Sequence, residues 1–289
     1  MSYRITTDST SDLPHSYMQE KDIACIGLSF QLNNIEYTES PDLELTPKEF
    51  YDALRNQGTS STVQINTYSF IEFIEPFLQQ GDDVLHLAFS SGLSGTYASC
   101  ERGAEELREK YPDRKIIVID TLAASLGEGL LVHHAYLNKM NGMSLEENAQ
   151  WLENNKLHLC HWFTVDDLMF LHRGGRVSKT SAIFGSLLGI KPILHVDDEG
   201  HLILMSKSRG RQGSIDTLVE KIKTLSFPNL KDQPVFISHG DCLEDAQKLA
   251  TLIEEKTGAK ITLINYIGTV IGSHSGPGTI ALFFMGEKR

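Results

Sequence analysis

Ser90, Ser91, Ser94 and Thr96, spaced by Gly92 and Gly95, put four hydroxyl groups within seven residues. They follow the apolar run Val84 to Phe89, the pattern of a buried parallel strand, and precede Tyr97 to Lys110, which reads as a helix. A strand that ends in small hydroxyl residues at a helix start makes a place for a negative group. Free backbone N–H groups and the positive end of the helix dipole point there, the hydroxyls add O–H donors, and the glycines admit a ligand to the backbone. The same residues also suit a plain turn with serine caps.

Other groups carry chemistry of their own. Arg173-Gly174-Gly175-Arg176 sets two guanidinium groups beside a glycine turn, suited either to clamping a carboxylate or phosphate or to pairing with the chain's own acids. His274 lies among Gly272, Gly276, Pro277 and Gly278, as a surface residue or as a donor aimed at a ligand. Ala88-Phe89-Ser90-Ser91-Gly92 imitates a nucleophile elbow at Ser90, but no base among the eleven histidines is singled out for it. His158-Leu159-Cys160-His161 suggests a metal site, yet strand alternation sends Cys160 and His161 to opposite faces. Lys207, Arg209 and Arg211 form a local basic cluster, a solvated strand end or a docking patch. No phosphate-binding glycine loop of either nucleotide type is present.

The elements that must position these groups alternate. Strands are expected at Arg4 to Thr7, Ile23 to Leu32, Ile35 to Thr38, Val84 to Phe89 and Lys115 to Asp120, with helices between and after them. Gly58 to Asn66 reads as a polar loop. The pattern predicts a mostly parallel sheet with helices on both faces, and right-handed crossovers gather its polar turns at one end. Asp8 and Ser9 then lie at the ligand edge of the sheet. A second unit begins near Lys156, so the expected division is 1–155 as an α/β domain and 156–289 as an α+β domain. The second half holds a strand at Leu157 to Val165, a small-residue helix at Ala182 to Ile190, a hairpin around Asp197 to Gly200, and two further helices among strands. Gly268 to Gly278 reads as a loop before a last apolar strand, Ile280 to Met285.

Composition narrows the function. A formal net charge of −12 opposes a nucleic-acid footprint and binding to an anionic membrane surface. No apolar run has membrane-spanning length, and four scattered cysteines without a C-x-x-C pair fit a reduced, cytoplasmic protein without a cysteine zinc site.

In order along the chain stand DSTSDL, TVQIN, SSGLSGTY, RGGRVSKT, GSLLGIKPIL and IGSHSGPG, from Asp8 to Gly278. The set resembles the DegV family of bacterial fatty-acid-binding proteins. That resemblance implies one long-chain fatty acid held between two domains, its tail in an apolar tunnel and its carboxylate at the crevice. It further implies that a separate, ATP-using fatty acid kinase phosphorylates the presented carboxylate, and that the chain itself needs no cofactor. By motif, the carboxylate contacts would be Thr62 and Ser94, with Arg176 and His274 adding positive charge, and Arg209 falls where the family has an arginine associated with kinase docking. The family's loop commonly reads T-S-Q-P, whereas this chain has Thr62-Val63-Gln64-Ile65. The competing expectation is a serine hydrolase acting on a lipid-like ester through Ser90 or Ser94.

Overall fold

Six buried residues without a break, Asp83–Ala88, form a central strand of the first sheet. The computed structural model describes residues 3–177 and 189–289. The first half runs β1 (Tyr3–Asp8), α1 (His15–Glu20), β2 (Ile23–Ile26), β3 (Ser29–Leu32), β4 (Ile35–Thr38), α2 (Pro47–Arg55) and β5 (Ser60–Val63). It continues with α3 (Thr67–Gln79), β6 (Asp83–Ala88), α4 (Thr96–Lys110), β7 (Ile116–Asp120), α5 (Leu126–Met140) and α6 (Leu145–Asn155). Strands β2, β1, β6 and β7 pair in that order, all parallel. Alternation along β6 sends Val84 and Ala88 to a core with Phe70, Cys100 and Leu107 of α3 and α4, and Leu85 and Leu87 to a core with Leu130 and Leu131 of α5. Helices therefore cover both faces of the sheet.

The second half runs β8 (Leu159–Thr164), α7 (Leu168–Arg173), β9 (Ile190–Val196), β10 (Leu202–Arg209), α8 (Gly210–Leu225), β11 (Val235–His239), α9 (Leu243–Thr257), β12 (Ile261–Tyr266), α10 (Thr269–Ser275) and β13 (Ile280–Met285). Its six strands order β10-β9-β8-β13-β11-β12, antiparallel except for the β11–β12 pair. Helices α8 and α9 cover one face through Ile215, Leu218, Val219, Leu249 and Ile253. The other face, with Phe163, Phe236 and Phe283, lies against α5. No strand of either sheet crosses residue 156, while α5 packs on both. The helix expected at Ala182 to Ile190 lies outside the described residues except at its last two positions.

Three local expectations are corrected. The strand expected over Ile23 to Leu32 is two: it breaks at Gly27 and Leu28, and β3 leaves the parallel sheet for a small antiparallel one ordered β4-β3-β5. A side chain at Gly27 would meet the Glu39 carbonyl, so the crossing chain passes backbone against backbone there. The loop expected over Gly58 to Asn66 contains β5, whose Ser-Ser-Thr-Val run shows no apolar alternation but pairs Thr62 with Phe30. The loop expected over Gly268 to Gly278 contains α10. Its start is held by the Glu39 carboxylate, which accepts from the Thr269 hydroxyl at 2.7 Å and the Val270 amide at 3.0 Å.

Helix α5 is buried around its first two turns, from Leu126 to Val132. Its glycines permit this: a Cβ on Gly129 would stand 2.7 Å from the Ser11 carbonyl oxygen. Alanine ordinarily favours a helix over glycine by about 1 kcal/mol, but overpacking costs about 1–3 kcal/mol. Gly129→Ala is therefore expected to destabilise by up to about 2 kcal/mol in urea unfolding; a stabilised variant would show that the two layers can part at no expense.

Candidate functional site

Three turns at the carboxyl ends of β1, β6 and β7 are stapled to one another. The Asp8 carboxylate accepts from the Phe89 amide at 2.9 Å, Asp120 accepts from the Ser91 amide at 3.1 Å, and the Ser90 amide donates to the Ala123 carbonyl at 3.1 Å. Asp8, expected at the ligand edge, is spent on this framework and fully buried. The framework holds open a cavity of about 340 Å³ between the two sheets, with Phe89, Leu93 and Ala124 on one side and Phe163, Leu202 and Ile271 on the other. That volume lies at the lower end of the usual ligand-pocket range. Thr62, Ser94, Arg176 and His274, far apart in sequence, all line it.

Each of the four has a specific support. Thr62 is carried on β5, and its Oγ1 lies 2.8 Å from His274 Nε2. Ser94 stands just before α4, where its Oγ accepts from the Thr96 amide at 3.2 Å and lies 2.9 Å from the Thr96 hydroxyl. Ser94 thus bonds into the start of α4 and also lines the cavity. Arg176 donates from Nε and Nη2 to the Leu93 carbonyl at 3.2 and 3.1 Å, and from Nη1 to the Gly174 carbonyl. A guanidinium has five N–H donors, so two remain. Among the described residues no carboxylate is in salt-bridge distance of Arg176, so the expected pairing with the chain's own acids is not formed there, and backbone carbonyls orient the group. Arg173 instead lies over the Phe170 ring at 4.6 Å.

The glycines around these residues make room for them. A Cβ on Gly174 would stand 2.1 Å from His274 Nδ1, and Gly175 has φ +76°, a left-handed value that glycine adopts freely. Gly95 likewise lies against the Gln64 amide, which lines the cavity and was not singled out from sequence. Val63, the departure from the family loop, lines the cavity while 49% exposed, an apolar side chain at its rim. Arg209 is exposed at the end of β10 and does not line the cavity.

Two expectations change, one on electrostatic grounds and one on geometry. His274 was expected to add positive charge. Burial, and then the Arg176 charge, push it down to about 4, so it is a neutral partner of Thr62 at pH 7. Among the described residues lining the cavity, Arg176 supplies the charge, its own pKa lowered by burial. The nucleophile role of Ser90 fails on geometry: the residue is fully buried, its hydroxyl donates to the Gly200 carbonyl at 3.0 Å, and no histidine reaches it. Ser94 also lacks a histidine partner, since its hydroxyl is shared with Thr96.

Comparison with known proteins places this arrangement. The model of a family described as "Uncharacterised protein, DegV family" matches residues 2–287. A DegV domain-containing protein of Clostridium perfringens is 50% identical over 286 residues, covering 99% of this chain and 98% of the relative. A DegV family protein from Thermus thermophilus, described by its fatty acid binding, superposes with a TM-score of 0.88 at 30% identity, covering 99% of this chain and all 100% of the other. DegV of Bacillus subtilis, described as a fatty acid binding protein, gives a TM-score of 0.82 at 28% identity, with 99% and 100% covered.

The depressed His274 has a measurable consequence. Its ordinary value is 6.5, so below that pH the unfolded chain takes up a proton that the folded one refuses until about 4. Its contribution to stability is fully present above 6.5 and is lost as pH falls. His274→Gln is expected to be less stable than the parent at pH 7, with the gap narrowing by about 1–2 kcal/mol at pH 5 in urea unfolding. An unchanged gap would mean that the imidazole is not held neutral.

Proposed function

The chain belongs to the DegV family, and on that premise we propose that it is a carrier that holds one long-chain fatty acid between its two halves. In this reading it presents the carboxylate to a separate fatty acid kinase and does no covalent chemistry itself. One observation carries it: the half-buried Arg176 guanidinium, with no acid beside it among the described residues and two N–H groups to spare, stands in the wall of an otherwise largely apolar cavity. An anion with a long apolar tail satisfies both features. The fatty acid binding described for the Thermus thermophilus and Bacillus subtilis proteins supports the same ligand class.

Affinity and orientation divide between tail and head. Each buried CH₂ contributes about 0.8 kcal/mol, so a long tail outweighs one carboxylate held partly in solvent. Thr62 and Ser94 supply O–H donors, Arg176 the charge, and neutral His274 fixes the Thr62 hydroxyl through the 2.8 Å contact. The kinase partnership follows from family resemblance, with the exposed Arg209 as its docking residue. The chain's net charge of −12 and the lack, among the described residues, of any helix long and apolar enough to cross a membrane agree with a carrier that works in the cytoplasm.

Native mass spectrometry of the freshly purified protein, followed by organic extraction, tests the carrier reading. The expected result is a one-to-one adduct released by denaturation and identified as a fatty acid; a bare protein that also refuses added fatty acid would sink it. Thr62→Ala and Ser94→Ala are expected to keep binding within about threefold while lowering acyl-phosphate formation by a supplied kinase about tenfold or more. Equal losses in the two assays would contradict the division between tail and head. A fluorophosphonate probe is expected to leave both Ser90 and Ser94 unlabelled.

A further inference from the structure

Gly174 is small for the sake of one imidazole. The three atoms nearest to a Cβ placed on it are Nδ1, Cε1 and Cγ of His274, with Nδ1 at 2.1 Å. Its backbone does not require a glycine: φ is −72° and ψ −8°, right-handed values that alanine adopts freely. The carbonyl of the same residue accepts from Arg176 Nη1, so Gly174 touches two of the polar groups that line the cavity.

The contact with His274 decides which ring nitrogen carries the proton. A neutral imidazole has one N–H and one bare nitrogen. A Cα hydrogen of Gly174 lies along the bond that a Cβ would take, and so points at Nδ1. Nδ1 is buried and has no hydrogen-bond partner among the described residues. An N–H there would be an unpaired buried donor pressed hydrogen against hydrogen, whereas a lone pair there accepts the weak C–H contact. The proton is left to Nε2, 2.8 Å from Thr62 Oγ1. Nε2–H then donates and the Thr62 oxygen accepts. In the other tautomer Thr62 would spend its only hydrogen on the ring. Among the described residues Thr62 Oγ1 has no further partner, so its hydrogen is free for an acceptor in the cavity that Thr62 lines.

We infer that Gly174 is a positioning residue: by fixing the proton of His274 on Nε2, it makes Thr62 a hydrogen-bond donor toward the ligand. That the acceptor is a fatty-acid carboxylate rests on the carrier reading above; the tautomer does not. Thr62 thereby joins Arg176, whose guanidinium only donates. A set of donors matches an ionised carboxylate, and it does not match a hydroxyl or ammonium head, which brings donors of its own.

The first test needs no ligand. Nitrogen NMR of the delipidated full-length protein, isotope-labelled in its imidazoles, reads both ring nitrogens at pH 7, and the His274 pair is the one that disappears in His274→Gln. If that variant does not fold, Thr62→Val assigns the pair instead, since it removes the partner of Nε2. The expected result is the Nε2–H form in excess by about tenfold or more. A proton on Nδ1 overturns the inference.

Palmitic acid labelled at its carboxyl carbon then reports the consequence. Thr62→Val is expected to shift the bound carboxyl signal. Gly174→Ala, which displaces the ring, is expected to shift it in the same direction, and the double variant no further than Thr62→Val. If Gly174→Ala does not fold, His274→Leu takes its place by removing the Nε2–H donor. A carboxyl signal left in place, or shifts that add in the double variant, overturns the positioning role. Failure of the parent protein to bind palmitic acid overturns the carrier reading, and the nitrogen spectrum still decides the tautomer.

Discussion

The burial of α5 between two sheets is the constraint on which the rest of the structure depends. A helix pressed from both sides has no solvated face on which to put polar residues, and its first two turns read Leu-Gly-Glu-Gly-Leu-Leu-Val. Glycines bring the neighbouring layers to backbone distance, and leucines fill both cores. The approach to this helix, Ala124 and Ser125, forms part of the cavity wall. Ser125 itself has φ +55°, a conformation that is unfavourable by about 1–3 kcal/mol for a residue other than glycine. It is held there by contacts to both halves, with Asp12 accepting its hydroxyl hydrogen at 2.5 Å and Ser238 Oγ 2.9 Å away. The cavity is therefore framed by the same contacts that join the halves.

The one acid on α5's inner surface is accommodated by sharing a proton. Thr10 Oγ1 lies 2.5 Å from Asp8 and 2.9 Å from Glu128. A hydroxyl has one hydrogen, so both contacts are hydrogen bonds only when one of the two carboxyl groups brings its own proton. Burial raises both, Asp8 to about 6 and Glu128 well above the ordinary carboxylate range. Thr7 completes the network with a hydroxyl 2.9 Å from Glu128. Asp8 and Glu128 are thus bonded to threonines and backbone amides, and among the described residues the charged side chain that lines the cavity is Arg176. A net acidic protein keeps a locally positive site because its buried acids point elsewhere.

Several features of the site were legible in residue order. The Val84 run followed at once by small hydroxyl residues identified β6, its turn and α4, because hydrophobic continuity and helix-start chemistry are both local. Alternation correctly sent Cys160 and His161 to opposite faces. Residue order did not show that Ser-Ser-Thr-Val forms a strand, since β5 is stabilised by pairing with β3 some thirty positions earlier, for example Thr62 opposite Phe30. Nor did it show α10, whose glycines argue for a loop until Glu39, from the other half, caps its first turn. Gly174 could be recognised as a turn residue, but its reason, room for the His274 ring, lies one hundred positions away.

The sequence by itself determined the alternating strands and helices, the small-residue turn at the sheet edge, and the ordered motifs that mark the family, because each depends on neighbours along the chain. Tertiary structure alone decided that Thr62, Ser94, Arg176 and His274 share one cavity, that Arg176 is oriented by backbone carbonyls, and that His274 is neutral. It also decided that His161, passed over as a metal ligand, lines that same cavity. Charge state and partnership depend on what surrounds a group in space, and burial between two sheets is set by long-range packing that no local pattern encodes.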